Sequence, residues 1–472
     1  MAGIGFELRK LSQRQSISAI VGAFGHAAVI AAGPWLFTIL SLASITLVTE
    51  QVAGLATLAN FRAVIIYAFA VSLVLTAPVT MVATRLVADA LWLRKPERVR
   101  PLLFGSYSVA IALVSAGTSL LALYFRMPLA LAAGLLAASL TVALIWVALA
   151  FCGAVRDYRG VTFAFVGGQL VAVLAGIAAA LGGLGAVGIV AGFVAGLSLT
   201  FVLLTLRVLA TFPGRMAAPE VGFEAIIEGF RTYRHLALGA LAAAAAVWID
   251  KWIFWFSPVG EQVEGGLVHA PLYDSAMFIA SLVVIPALAM FVVQLETAFF
   301  DRYQSYYNTI QTHGTLQQIE ASRRRLSQHT LDQLVLITVM QVGICAVLVL
   351  SAPMIVDALN LQYQQISILR YGALGAVFQF IFIASTSMLL FFDRRRLFLA
   401  LQALFLALNA GFTGLSVYLG ETYFGVGYFA ACLVSSFIAY LAADSTFLRL
   451  NFLTFLGNNP SVRAAAARST HA

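Results

Sequence analysis

Charged residues are scarce in this sequence. They make up 10% of its 472 residues, whereas hydrophobic residues make up 61%, and the mean hydropathy is +0.95. Soluble globular domains carry about 25% charged residues. A water-soluble chain of this length would lack the charges that cover a solvated surface. The composition therefore excludes a soluble protein and indicates an integral membrane protein.

Cysteine is almost absent as well. The three cysteines, Cys152, Cys345 and Cys432, are far apart and lie within or beside apolar runs. An odd and scattered set of this kind argues against a disulfide framework and against a zinc site. Small apolar residues packed between helices are the simpler interpretation.

Motifs for catalysis are also missing. The sequence contains no Walker A motif, no HExxH, no GxSxG and no glycine-rich nucleotide fingerprint after a strand. We therefore expect that the chain is not an enzyme, does not hydrolyse ATP, and uses no metal or cofactor.

Long apolar runs dominate what is present. A membrane-spanning helix needs about 20 mostly apolar residues. The sequence therefore predicts an all-α, polytopic membrane protein with about 12 transmembrane helices, at 17–48, 61–83, 102–124, 128–151, 161–182, 186–210, 236–256, 272–300, 331–353, 366–392, 397–419 and 424–448. Pro128 and Gly182–Gly183 predict tight hairpins between two pairs of spans. Gly33–Pro34, Pro78 and Pro286 predict kinks or local unwinding within spans.

Positive charges alternate along these runs. All but four of the 28 lysines and arginines fall at the N-terminus, at the C-terminus or in every second connection. Because cytoplasmic connections are enriched in Lys and Arg, both termini are predicted to face the cytoplasm (N-in/C-in). The chain then divides into a six-helix bundle at 1–210, a cytoplasmic linker at 211–235, a second six-helix bundle at 236–450 and a cytoplasmic tail at 451–472.

One predicted cytoplasmic segment, 301–332, is polar and rich in glutamine, with basic residues near its end. We expect it to form helical extensions of the flanking spans or a helix at the membrane surface. Its role is either that of a solvated connector or that of a docking surface for a cytoplasmic partner.

Ionisable residues inside spans are costly, and each one is a candidate functional residue. The seventh span carries Asp250 and Lys251, and Asp274 begins the eighth span at a comparable depth. Adjacent helical residues point about 100° apart, so Asp250 and Lys251 need not pair, and Asp274 is a candidate partner for Lys251. The group is either a polar wall of a transport cavity, contacting sugar hydroxyls or an ion, or a local salt bridge near the headgroups.

Four further residues are candidates for the transport path or for coupling. His26, in the first span, could titrate near neutral pH, and serves either a proton step or helix packing. Arg62 and Arg370 either snorkel to the outer interface, which we favour, or line an outward cavity. Glu296 is expected at the inner mouth.

Tryptophans form a stripe on the seventh span. Trp248, Trp252 and Trp255 repeat at i, i+4 and i+7 and therefore share one helix face. The stripe is either an interfacial aromatic belt, which we favour, or a stacking surface for sugar rings.

Three short stretches carry a resemblance to a known family. They are the opening Met1–Lys10 (MAGIGFELRK), the Ala32–Trp35 turn (AGPW) and Phe391–Arg395 (FFDRR). With them, the sequence resembles the PelG family of Pel exopolysaccharide transporters, and the length and span layout are similar throughout. The opening decapeptide is the most specific of the three.

The resemblance implies a multi-pass protein of the bacterial inner membrane, in the multidrug/oligosaccharidyl-lipid/polysaccharide exporter superfamily. It implies export of a GalNAc-rich polymer made by a PelF-like cytoplasmic glycosyltransferase, in a complex with PelD-like and PelE-like membrane proteins. The residues leave two alternatives open: a flippase for lipid-linked oligosaccharides, and a cation-coupled small-molecule antiporter that uses His26 and Asp250. The few, mixed charges inside spans suit a neutral glycan better than a pyrophosphate-linked one.

Overall fold

The computed structural model describes residues 37–155, 158–214 and 219–457, and helices make up most of them. The helices are α1 (Phe37–Ala53), α2 (Leu55–Trp92), α3 (Val99–Tyr124), α4 (Leu129–Val155), α5 (Tyr158–Leu181), α6 (Gly185–Thr211), α7 (Pro219–Thr232), α8 (Arg234–Trp255), α9 (Pro271–Leu282), α10 (Ile285–Gln294), α11 (Phe300–Gln311), α12 (Leu316–Ala358), α13 (Gln365–Phe391), α14 (Arg395–Leu419), α15 (Val426–Leu448) and α16 (Leu450–Phe452). Strands β1 (Glu261–Gln262) and β2 (Val268–His269) pair antiparallel. Short 3₁₀ turns lie at Pro96–Arg98 and Glu421–Tyr423, and π turns at Leu295–Phe299 and Leu453–Gly457.

The predicted spans coincide with these helices. Within the described residues, eleven helices are long and apolar enough to cross a membrane, counting α9 to α11 as one, and α1 is a shorter apolar helix. The predicted first span, 17–48, lies partly outside the described residues. A polytopic helical protein is confirmed. The reason is physical: within hydrocarbon, a helix satisfies its own backbone hydrogen bonds.

Two pairs of helices are joined by the tight turns that the sequence predicts. Arg126 has φ 49° between α3 and α4, and Gly183 has φ 69° between α5 and α6. A residue in the left-handed region ends a helix and reverses the chain within a few residues. Both predicted hairpins are confirmed.

Proline acts differently in the second and eighth predicted spans. α2 runs for 38 residues through Pro78 without a break, so local unwinding is not found there. The eighth span is interrupted between α9 and α10, directly before Pro286, as predicted. Gln341 of α12 donates its Nε2 to the Val283 carbonyl oxygen at 2.9 Å and so satisfies a group at the interruption. Gly33–Pro34 lies outside the described residues.

The predicted linker contains a helix, α7, which packs on α3. Gly105 and Gly222 meet backbone to backbone, and a Cβ on Gly105 would collide with the Gly222 carbonyl group. Arg100 donates to the carbonyl oxygens of Gly214 and Leu209, the latter at 2.6 Å. Small residues allow this close approach, and the arginine holds the chain that leads into α7.

Two sets of helices meet along one line. Helices α2–α6 pack mainly on one another, as do α8–α15. The main direct contact between the two sets is α2 against α8, and this contact is here called the seam. The Ser257–Ala270 connection between α8 and α9 marks one end of the molecule, the hairpin end. Arg323–Arg325 and Arg394–Arg396 mark the other, the arginine-rich end.

The segment 301–332 forms α11 and the start of α12, which confirms the predicted helical extensions. Tyr306 donates its hydroxyl to Asn451 Oδ1 at 2.9 Å, and Asn451 donates its Nδ2 to Glu320 Oε2 at 2.9 Å. Arg323 pairs with Glu320 and also donates to the Phe447 carbonyl oxygen at 3.0 Å. This helical hairpin is therefore fixed to the end of α15.

Replacing Gly105 with alanine tests the contact between α3 and α7. We expect Gly105→Ala to lower stability by about 1–3 kcal/mol, because the added methyl group overpacks against backbone that cannot rotate away. Gly411→Ala is the matched control, since a Cβ at Gly411 meets no atom within 4 Å. Thermal unfolding of the detergent-purified protein measures both. Equal melting temperatures for the two variants would contradict the close approach.

Candidate functional site

Asp250 is a fully buried carboxylate on α8, 0% exposed. The Lys251 Nζ lies 2.9 Å from its Oδ2 and 3.1 Å from its Oδ1. Tyr273 of α9 donates its hydroxyl to the same Oδ2 at 3.0 Å. Both carboxylate oxygens are occupied, so the charge of Asp250 is compensated inside the protein, as a buried ion requires.

The predicted pairing of Lys251 with Asp274 is wrong, because Lys251 pairs with its neighbour Asp250. The long lysine stem folds back so that Nζ reaches Asp250 and also the Val247 carbonyl oxygen, at 3.1 Å. Asp274 has other partners: its Oδ2 accepts from the Trp255 indole at 2.7 Å and from the Ala270 backbone N–H at 3.1 Å. Helix spacing gives the direction in which a side chain leaves the backbone, but a flexible chain can still bend to its neighbour.

The tryptophan stripe lies inside the protein. Trp248 is 7% exposed and Trp255 is 1% exposed, while Trp252 is half-buried. The Trp255 ring stacks on Tyr67 of α2, with centroids 4.5 Å apart and planes 27° apart. Trp248 meets Trp255 edge-on at 6.2 Å. The favoured interpretation as an interfacial belt is therefore wrong for these two residues, because their face of α8 packs within the protein, with Trp255 at the seam.

These side chains form one buried group at the seam, the Trp255 cluster, which consists of Tyr67, Trp248, Asp250, Lys251, Trp255, Tyr273 and Asp274. Two buried atoms of the cluster have no hydrogen-bond partner among the described residues: Oδ1 of Asp274 and Nε1 of Trp248. Buried polar atoms are normally paired. One free acceptor and one free donor therefore remain for a polar ligand or a water.

A second layer of contacts holds the cluster in place. Phe254 stacks on Tyr273 at 3.7 Å between centroids. Asn409 of α14 donates its Nδ2 to the Ala246 carbonyl oxygen at 2.9 Å, and Thr413 donates to Asn409 Oδ1 at 3.1 Å. α8 is thereby fixed to α14 one turn from Asp250.

Sequence reasoning missed Tyr67 and Tyr273. Tyr273 directly precedes Asp274, and its position at the start of a span gave a usable signal. Tyr67 lies more than 180 residues from Trp255 in the sequence, and nothing in its apolar surroundings indicates contact with that residue.

The hairpin end joins the two sets of helices next to the cluster. Asn60 of α2 accepts the Gly265 backbone N–H at 2.8 Å, and Tyr67 donates its hydroxyl to the Val268 carbonyl oxygen at 2.7 Å. Burial lowers the pKa of the His269 imidazole below its usual value; Glu261 opposes this shift and Arg62 adds to it. A neutral imidazole is thus favoured in the packed hairpin.

The arginine-rich end is bridged as well. Tyr233, between α7 and α8, donates its hydroxyl to Asp89 of α2 at 2.5 Å. The Arg395 guanidinium lies 4.9 Å from the centre of the Tyr233 ring. Burial, together with the Asp89 carboxylate, raises the pKa of Tyr233 above its ordinary value.

The other four sequence candidates are not part of the Trp255 cluster as the described residues define it. Arg62 and Arg370 are exposed, and Arg370 donates its Nε to the Val349 carbonyl oxygen at 3.1 Å. The backbone of Glu296 belongs to the π turn Leu295–Phe299. His26 lies outside the described residues. Of the eight candidates, Trp248, Asp250, Lys251 and Asp274 come together in the Trp255 cluster.

Solved structures with this fold are membrane transporters. A transporter of the MOP superfamily from Pyrococcus furiosus, described as having a binding pocket of reversed polarity, matches with a TM-score of 0.62 and 14% identity over 91% of this chain and 96% of its own. An inward-facing MATE transporter matches with a TM-score of 0.61 and 15% identity, over 90% and 99% of the two chains. An outward-facing MATE transporter matches with a TM-score of 0.59 and 15% identity, over 90% of this chain and 96% of its own. The chain therefore has the fold of these multi-pass membrane transporters.

A comparison with protein families narrows this class to one family. The model of the PelG exopolysaccharide exporter (EPS-E) family matches residues 1–455, and the chain belongs to this family. No curated protein matches the chain. The resemblance carried by the opening decapeptide is confirmed, and the chain is a membrane exporter of the MOP fold.

Breaking the ion pair within the cluster should destabilise the protein. We expect Lys251→Met to cost about 3–5 kcal/mol, because it leaves the Asp250 carboxylate buried without a counter-charge. The double variant Asp250→Asn/Lys251→Met removes both charges and should recover much of that loss. Thermal unfolding in detergent measures the two variants, and a double variant no more stable than Lys251→Met alone would contradict the pairing.

Proposed function

We propose that this chain exports a growing, largely neutral exopolysaccharide of the Pel type across the bacterial inner membrane. The polymer passes between the two sets of helices, and the Trp255 cluster lies beside its path. One observation carries this assignment of the path: a buried group of aromatic rings and carboxylates at the seam retains one free hydrogen-bond donor and one free acceptor.

The chemistry of the cluster suits a hydroxyl-rich ligand. Sugar hydroxyls both donate and accept hydrogen bonds, so the hydroxyls of a glycan can satisfy Asp274 Oδ1 and Trp248 Nε1. Aromatic rings such as Trp248 offer flat apolar faces with a polar edge, which suits the mixed surface of a sugar ring. Binding sites of this kind combine apolar walls with a few convergent polar groups.

The charge balance of the cluster favours a neutral glycan over a phosphate-linked one. The opposite charges of Asp250 and Lys251 cancel, and Asp274 adds no positive charge. A pyrophosphate group requires several cations or many donors around it. The flippase for lipid-linked oligosaccharides is therefore the weaker alternative.

The cation-coupled antiporter has less support still. A coupling carboxylate must release its partner and accept a proton or metal cation in each cycle, yet both oxygens of Asp250 are held by Lys251 and Tyr273. Growth of the polymer by its synthase supplies direction without any such exchange.

The orientation follows from the charges. Arginine-rich connections favour the cytoplasm, so the arginine-rich end faces inward with both termini, and the hairpin end faces outward. The bundles at 1–210 and 236–450 are the two halves of the transporter, joined by the linker at 211–235. The region 451–472 is then a cytoplasmic tail.

The arginine-rich end is where the synthase would deliver the polymer. The α11–α12 hairpin is fixed to α15 through Glu320, Asn451 and Arg323, so it offers a rigid surface there. We propose that a PelF-like glycosyltransferase docks on it, and that PelD-like and PelE-like membrane proteins complete the complex.

Removing the two unpaired atoms tests the proposed path. Trp248→Phe keeps an aromatic ring but deletes the free indole N–H, and Asp274→Asn replaces the carboxylate acceptor. Each variant should reduce secreted polymer about tenfold, the effect of losing one good hydrogen bond. Trp92→Phe is the control, because Trp92 is exposed at the end of α2. Secretion unchanged in both cluster variants, with equal protein levels, would remove the cluster from the path.

Co-purification tests the docking surface and the orientation together. Leu316 and Leu129 are each the first residue of a helix and are 75% and 87% exposed, at the arginine-rich and hairpin ends respectively. Leu316→Glu should reduce recovery of the glycosyltransferase, whereas Leu129→Glu should not. An intact complex in the Leu316→Glu variant would argue against this surface, and no complex with the unmodified chain would argue against the synthase-linked mechanism.

A further inference from the structure

The Ser257–Ala270 connection belongs covalently to one set of helices but is held by the other. It joins α8 to α9, yet its backbone is bonded by side chains of α2: Asn60 accepts from Gly265, and Tyr67 donates to Val268. These two side chains are seven residues apart, so they lie on the same face of α2, two turns apart.

The tip of this connection is buried between helices of the other set rather than lying on the protein surface. Leu267 and Ala270 are completely buried. Gly266 has φ +92°, and a Cβ there would lie 2.7 Å from the Phe125 carbonyl oxygen at the end of α3. A Cβ on Gly265 would meet Asn60 and the end of Leu131. The tip therefore fits against α2, α3 and α4 because glycine occupies the two closest positions.

The connection also continues directly from the Trp255 cluster. Trp255 is the last residue of α8, it stacks on Tyr67, and it donates to Asp274. Tyr67 thus contacts the cluster through its ring and the hairpin through its hydroxyl. Movement of the hairpin away from α2 would uncover the cluster at the hairpin end.

We infer that the Ser257–Ala270 hairpin is a strap that closes the polymer path at the hairpin end and must leave Asn60 and Tyr67 before polymer emerges. This inference rests on the proposed function, because it assigns a gate to the path at the seam. A hairpin held by two side-chain hydrogen bonds and a small buried tip can separate without unfolding either set of helices. The strap thus seals the membrane while no polymer is present.

A disulfide across this contact tests the strap. The Gly265 Cβ position is 3.6 Å from Asn60 Cγ, so cysteines at both positions are within reach of one another. Oxidised Asn60→Cys/Gly265→Cys should lose polymer secretion, and a reductant should restore it. Secretion that continues with the disulfide formed would overturn the strap.

The matched control is a disulfide within one set of helices. A Cβ on Gly134 of α4 would lie 3.8 Å from the Val190 Cβ of α6, so Gly134→Cys/Val190→Cys joins helices on the same side of the seam. This variant should secrete polymer whether oxidised or reduced. Equal loss of secretion in both oxidised pairs would mean that any cross-link blocks export, and would overturn a specific role for the hairpin.

A labelling experiment separates failure of the strap from failure of the proposed function. Asn60→Ala removes one holding bond, so a cysteine placed at the buried position Leu267 should react with a membrane-impermeant maleimide about tenfold faster than with Asn60 present. This readout needs no polymer. Unchanged labelling would overturn the strap by itself, whereas faster labelling together with normal secretion in a strain that lacks this chain would overturn only the export function.

Discussion

Hydrocarbon offers no hydrogen bonds, and the backbone and buried charges of this protein are arranged around that constraint. Backbone groups are satisfied by long helices, and where the eighth span breaks, Gln341 supplies the missing donor. In the part of the chain that the structure describes, the Trp255 cluster holds an ion pair inside a span, where Lys251 neutralises Asp250 within the same helix. Within the cluster, the indole Nε1 of Trp248 and the Oδ1 of Asp274 are left without a hydrogen-bond partner among the described residues.

The helices could be predicted from the sequence because their cause is local. A run of about 20 apolar residues is sufficient for a span, and the turns around Arg126 and Gly183 carry their own signals. The break before Pro286 is also local, since proline cannot donate a backbone hydrogen bond. Pro78 shows the limit of such local reasoning, because α2 continues through it without a break.

The sequence predicts which residues belong to the candidate site, but not how they are arranged in space. Asp250, Lys251, Asp274 and Trp248 stand out because polar or large aromatic side chains are conspicuous in apolar runs. Their arrangement depends on contacts between distant segments. Helix spacing places the tryptophans on one face, but it does not say whether that face meets lipid or α2. The pairing of Lys251 depends on how a flexible stem bends, and Tyr67 enters the cluster from another set of helices.

The cluster and the hairpin form one mechanical unit at the seam. Trp255 and Tyr67 connect the buried carboxylates to the backbone of the hairpin. In the proposed mechanism, a ligand in the cluster would therefore act on the hairpin through these two side chains. At the opposite end, Tyr233 and Asp89 bridge the same helix, α2, to the linker. α2 therefore carries contacts that hold the two sets together at both ends of the molecule. Along this helix, Tyr67 and Asp89 are about 33 Å apart at a rise of 1.5 Å per residue.

Photo-crosslinking in cells that make the polymer tests the central claim, that polysaccharide passes along the seam, most directly. A photoreactive amino acid at position 252, on the same face as Trp248 and Trp255, should capture polysaccharide, and one at position 92, at the exposed end of α2, should not. Polymer attached only at position 252 is the result that this account predicts. Capture at neither position, while secretion continues, would contradict a path through the seam.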